Sequence, residues 1–175
     1  KIQISGGGTI TVGHNGVGIY AKDSDLYLSG LNINLHGDNS LGLYLEGNSN
    51  LWTGTGNIDI DGQNVVLYNI NTNAGAIVNN NFTVTSPGSS TYTLGNVNDG
   101  TLTYTGNSNL TSNGTLVSGK RSTVYLNGSA ITSDPGSVNV AAVALDGQGS
   151  GIITGMTSGT DGENNGSIFL GDSSV

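Results

Sequence analysis

Four tyrosines, Tyr20, Tyr44, Tyr68 and Tyr92, fall at three successive steps of 24 residues, and a chain that repeats on so short a period has few folds open to it. The surroundings recur too, as "GIYA", "GLYL" and "VLYN", and a shift of 125 residues carries Leu43-Tyr44-Leu45 onto Ile168-Phe169-Leu170. A second column agrees: "DLYLSGLNIN" at 25–34 matches "TVYLNGSAIT" at 123–132 and "NLWTGTGNID" one repeat further on. "PGS" occurs at 87–89 and again at 135–137, two periods apart. Several columns thus agree on a period of 24–25 residues, which divides the 175-residue chain into about seven repeats.

Within each repeat the apolar residues alternate with period two, as in Leu26/Leu28, Ile33/Leu35, Leu43/Leu45 and Ile58/Ile60. This is the pattern of short strands with one buried face. Gly, Asn, Asp and Ser separate the strands, the residues that accept positive φ and close tight turns. Two to three strands per repeat without a helix are too few for a propeller blade of roughly 40 residues, and the leucine-rich consensus is absent. The sequence therefore predicts an all-β fold, a right-handed parallel β-helix (solenoid) of about seven coils, each repeat forming one coil. Residues 1–175 form a single segment, with an irregular register expected around 95–118, where the columns slip by one or two positions.

Composition removes several alternatives. Gly supplies 30 residues and charged residues only 9%, yet about a quarter of the chain is Leu, Ile, Val or Phe, enough to exclude a disordered polar tract. The formal charge is −8, with four Lys and Arg in all, so no basic surface exists to neutralise nucleic-acid phosphates. With no cysteine there is no disulfide framework and no thiolate metal site. The longest apolar run, "VAAVAL" at 140–145, is far short of a membrane span, and this segment is not expected to insert in a membrane. Strand-like sequence at both ends, "KIQISG" and "IFLGDSSV", reads as a segment excised from a longer exported protein.

If Leu43 and Leu45 point inward, Tyr44 points outward, because side chains alternate across a strand. The same reasoning places Tyr20, Tyr68 and Phe169 on one outer face, in a column interrupted at Val117 and Ala144. On a second face the outward column is Tyr27, Trp52, Ile77, Thr103, Tyr125 and Ile153. The plain reading is that strand aromatics stack on one another along the rod. The functional reading makes Tyr20, Tyr44, Tyr68, Phe169, Tyr27, Trp52 and Tyr125 a contact surface for a protein or glycan, with Trp52 the strongest candidate.

Catalytic and metal signals are weak. Asp23/Asp25 and Asp59/Asp61 are carboxylate pairs that project outward, and a solvated face explains both. His14 and His36 share no column and suggest neither a metal pair nor a triad. "TDGENNGS" at 160–167 lacks the ligand spacing of a calcium loop. The expectation is a protein without catalysis, cofactor or metal.

With coils of this length, "GVGIYAKDSDLYLSG" and "LGLYLEGNSNLW", and without cysteine, the chain resembles passenger segments of large bacterial autotransporter adhesins of the fusobacterial type. The resemblance implies type V secretion through a C-terminal membrane β-barrel that this chain lacks. It also implies display at the bacterial cell surface, on the extracellular side of the outer membrane, and attachment to a host-cell or bacterial surface protein or glycan. Two other readings stand beside it: a stalk that spaces a distal binding tip, and a polysaccharide-active β-helix enzyme.

Overall fold

The computed structural model describes residues 1–84, 91–105, 109–112, 116–126, 130–133, 143–146, 150–152 and 168–170. The chain is an all-β parallel solenoid, without a helix among the described residues, and makes about four turns. Every strand pairing is parallel, and each strand lies beside the one a repeat earlier and a repeat later.

Three faces form the wall. The first is a seven-stranded sheet that begins with Ile2–Ile4, Asp25–Leu28, Asn50–Thr53 and Gly75–Val78 and continues to Ser150–Ile152. The second stacks Gly8–Val12, Leu31–Leu35, Asn57–Ile60 and Asn81–Val84. A separate pair, Asn109–Ser112 and Ala130–Ser133, lies further along the chain. The third is again seven-stranded and runs from Val17–Lys22, Leu41–Glu46, Val65–Asn71 and Tyr92–Asn98 to Ile168–Leu170.

The core is a set of aliphatic ladders, as the period-two alternation requires. Leu26, Leu51, Ala76, Leu102 and Val124 form one rung after another on the first face, all buried. Leu35 and Ile60 do so on the second face, and Ala21, Leu45, Ile70 and Val97 on the third. One coil could not hide these side chains alone; the coils above and below complete the burial. Each fully buried Leu or Ile contributes roughly 1.5–3 kcal/mol of transfer free energy.

The corners explain the abundance of Asn. Asn15, Asn39 and Asn64 each adopt φ near +56° at the same corner of successive coils, a conformation that Asn tolerates better than most residues. Their amides bond in series, Asn39 Nδ2 to Asn15 Oδ1 and Asn64 Nδ2 to Asn39 Oδ1, each at 3.4 Å. Thr91 ends the run by donating to Asn64 Oδ1 and accepting from the Asn64 backbone N–H. At the adjoining Gly37 and Gly62, an added Cβ would lie 2.1 and 2.3 Å from the backbone of the preceding coil, so only glycine fits.

The repeat is not uniform, and this corrects part of the column assignment. Tyr20 stands opposite Tyr44, 24 residues on, but Tyr44 stands opposite Asn69. Tyr68 pairs instead with Leu43 and is buried, with 1% of its surface exposed. A one-residue offset moves a side chain to the opposite face, so the constant step of 24 misplaced Tyr68. Downstream of it the outer column reads Asn96, Ser118 and Ala144. Val117, expected in that column, is fully buried opposite Gly95. Across 95–118 the step from Gly95 to Val117 is 22 residues, while residues 106–108 and 113–115 lie outside the described part.

Candidate contact surface

On the first face, Gln3, Tyr27, Trp52, Ile77, Thr103 and Tyr125 occupy equivalent positions in successive strands. Each lies between inward-facing residues, and parallel pairing in register lines their side chains up along the rod. Tyr27 and Trp52 stack with ring centroids 4.5 Å apart and planes 7° from parallel. Lys1 Nζ sits 4.4 Å above the other side of the Tyr27 ring. Ile77 is 50% exposed, a large apolar side chain left open next to the indole. In this column the last residue is Ile152, paired with Tyr125; the expected Ile153 lies outside the described residues.

Two shallow grooves border Trp52. One, of about 330 Å³, extends from Asn50 and Trp52 across Gly75 and Ile77 to Thr101 and Thr103. The other, of about 180 Å³, runs between Gln3, Ser29 and Gly54 alongside Tyr27 and Trp52. The indole is the wall common to both.

The third face has a different character. Tyr20 is 55% exposed, and its ring lies 5.3 Å from that of Tyr44 at an angle of 55°. The Tyr20 hydroxyl donates to Glu46 Oε1 at 2.8 Å, and Lys22 Nζ reaches the same oxygen at 2.9 Å. The hydrogen bond from Lys22, followed by that from Tyr20, holds the Glu46 carboxyl below its usual pKa. The bond to Glu46 in turn raises the Tyr20 and Lys22 values. Loss of water contact and then Glu46 raise that of Tyr44. The alternation that placed Tyr20 beside Tyr44 also places Lys22 beside Glu46 two positions on, a signal legible in the sequence but not used above.

Beyond Tyr44 the same face becomes an amide array. Asn71 and Asn98 donate to Asn69 and Asn96 at 3.3 Å, Asn98 also to Asn71 at 3.2 Å, and Ser118 to Asn96 at 3.3 Å. Of the predicted contact residues, the structure thus brings Tyr27 and Trp52 together on one face and Tyr20 and Tyr44 on another, and sends Tyr68 inward. Tyr125 is half-exposed in the first-face column. Phe169 lies on the third face opposite Ala144.

Buried polar contacts in the core were not foreseen. The Tyr68 hydroxyl donates to Asn80 Oδ1 at 3.4 Å, and the Tyr104 hydroxyl to the Asn80 carbonyl at 3.3 Å. Asn80 also donates to the Gly56 carbonyl. Burial raises the Tyr68 pKa well above its usual value, with Tyr104 adding to the effect.

The carboxylates are engaged locally. Asp23 Oδ1 accepts from the Asn48 N–H, and Asp25 Oδ1 from Asn50 Nδ2. His36 Nδ1 lies 3.4 Å from Asp61 Oδ2, and His14 Nδ1 3.8 Å from Asp38 Oδ2. No group of three or more His, Cys, Asp or Glu that could hold a metal occurs among the described residues; residues 160–167 lie outside them. No helix among the described residues is long and apolar enough to cross a membrane.

Fold and surface together define the class, a parallel β-solenoid with an aromatic stack on one flat face. No family model, curated protein or solved structure matches the chain.

Proposed function

We propose that the chain is a passenger segment of a bacterial autotransporter adhesin, which attaches the cell to a host-cell or bacterial surface protein or glycan without catalysis. The reading places it on the extracellular side of the outer membrane. The observation that carries it is the Tyr27–Trp52 stack with exposed Ile77 beside it. Aromatic and aliphatic surface left in water on a chain of net charge −8 suits a contact patch better than a solubilised wall. The parallel solenoid supports the reading because it grows by adding coils, and the lack of cysteine because no cross-linked loop would hinder threading. A right-handed winding and about seven coils over residues 1–175, one for each strand of the seven-stranded faces, belong to the same reading.

A spacer rod is the second reading. The corner ladder of Asn15, Asn39 and Asn64 and the amide array around Asn98 favour it, because those polar groups bond to one another. Binding of the folded segment to glycan arrays and to host or bacterial cells, beside Trp52→Ser, separates the two. Attachment that depends on Trp52 supports the contact surface; a folded segment that binds nothing defeats it.

A further inference from the structure

One outward column of the first face runs Asp25, Asn50, Gly75, Thr101 and Thr123, and Gly75 alone among them lacks a side chain. A glycine inside a strand weakens it and marks either a constrained backbone or a close approach by another group. Neighbouring strands show the first cause: a Cβ on Gly18 or Gly42 would lie 2.7 Å from a carbonyl oxygen of the next coil. Gly75 shows neither crowding nor positive φ. The only atom within 4 Å of a Cβ there would be Asn50 Oδ1, at an ordinary 3.6 Å. The fold does not require glycine at this position, and its effect is to open the 330 Å³ groove.

The lining defines the occupant. Trp52 forms the wall on one side, with one face of its indole covered by Tyr27 and the opposite face directed along the rod towards Ile77. Gly75 is the floor. The polar groups are neutral: the Asn50 and Asn73 amides and the Thr101 hydroxyl. Asn50 Nδ2 is committed to Asp25 at 2.9 Å, which leaves its Oδ1 above the glycine as an acceptor. Neither Lys nor Arg lines the groove.

We infer that the groove over Gly75 binds a single uncharged pyranose ring of a glycan. The apolar C–H face of the sugar packs on Trp52 and Ile77, and its hydroxyls bond to Asn50, Asn73 and Thr101. A pyranose offers an apolar face and a hydroxyl rim at once, which matches an aromatic wall bordered by neutral donors and acceptors. An anionic sugar would enter a cation-free groove on an acidic chain at an electrostatic cost. The inference rests on the first face being the contact surface and names what that surface takes.

Trp52 is the only tryptophan, so its fluorescence reports on the groove directly. The probes are methyl glycosides of neutral hexoses and N-acetylhexosamines, with the methyl glycoside of N-acetylneuraminic acid as the anionic control. At least one neutral glycoside should give a saturable change with a Kd in the roughly millimolar range, and should shift the Trp52 indole and Gly75 amide NMR signals together. Gly75→Val fills the groove with a residue that strands favour; it should weaken binding by about tenfold or more with an unchanged melting temperature. Saturable binding by no neutral glycoside, equal binding of the anionic one, or undiminished binding by Gly75→Val would each overturn the inference. If glycosides fail while Trp52-dependent attachment to cells persists, the contact surface stands and its partner is a protein.

Discussion

At the scale of single residues, the corner asparagines hold a backbone conformation and a hydrogen-bond ladder together. Asn39 sits at φ 56° and bonds to both Asn15 and Asn64. Asn39→Ala removes the amide and places a Cβ residue without a polar tip in the left-handed region, at a cost of on the order of 1–2 kcal/mol. Asn39→Gly loses the bonds but suits the backbone, so its melting temperature should lie above that of Asn39→Ala. Equal melting of the two variants would show that the conformation contributes nothing. Tyr68 is the inward counterpart. Tyr68→Phe should cost about 1 kcal/mol through the unpaired Asn80 carboxamide oxygen, and Tyr68→Ala about 3–5 kcal/mol through the cavity, both measurable by denaturant unfolding.

At the scale of strands, the alternation in Leu26-Tyr27-Leu28 and Leu43-Tyr44-Leu45 was enough to read which side chains face in and which face out. Tyr27 and Trp52 also fell correctly in one column, because the first-face strands repeat without interruption around them. Tyr68 was misread because its strand, Val65–Asn71, buries two consecutive residues, Leu67 and Tyr68. A local break in alternation changes the phase of everything before it, and the surrounding letters "VLYN" carry no mark of it. The groove was illegible for a related reason: Gly75 looks like any turn glycine until the pairing sets it between Asn50 and Thr101. Gly42 and Gly75 therefore make a contrasting pair. Gly42→Ala forces a Cβ against the Leu67 carbonyl oxygen and should cost roughly 1–3 kcal/mol, whereas Gly75→Ala should leave stability unchanged or raise it. Thermal unfolding of the two variants checks this, and equal destabilisation would contradict the register of the two faces.

At the scale of the whole molecule, burial ties stability to the protonation of core tyrosines. Burial pushes the Tyr92 pKa up to about 12 from 10.0 and raises that of Tyr68 further above the same value. A raised folded-state pKa favours the protonated form, so the stabilisation is complete below pH 10 and is lost as pH rises through about 12. Denaturant unfolding should show a decline over that window, smaller in a Tyr68→Phe, Tyr92→Phe double variant; an equal decline in both would place its origin elsewhere. Stacking lets the coils protect these groups, and it also carries Trp52 and Tyr27 outward as a continuous surface. Attachment of the folded segment to host or bacterial cells, measured side by side for wild type, Trp52→Ser and Tyr44→Ser, tests that role most directly. The account predicts that Trp52→Ser abolishes attachment while melting shifts only by the loss of one stacking contact, about 1 kcal/mol. Undiminished attachment by both folded variants would contradict it and leave the solenoid a spacer.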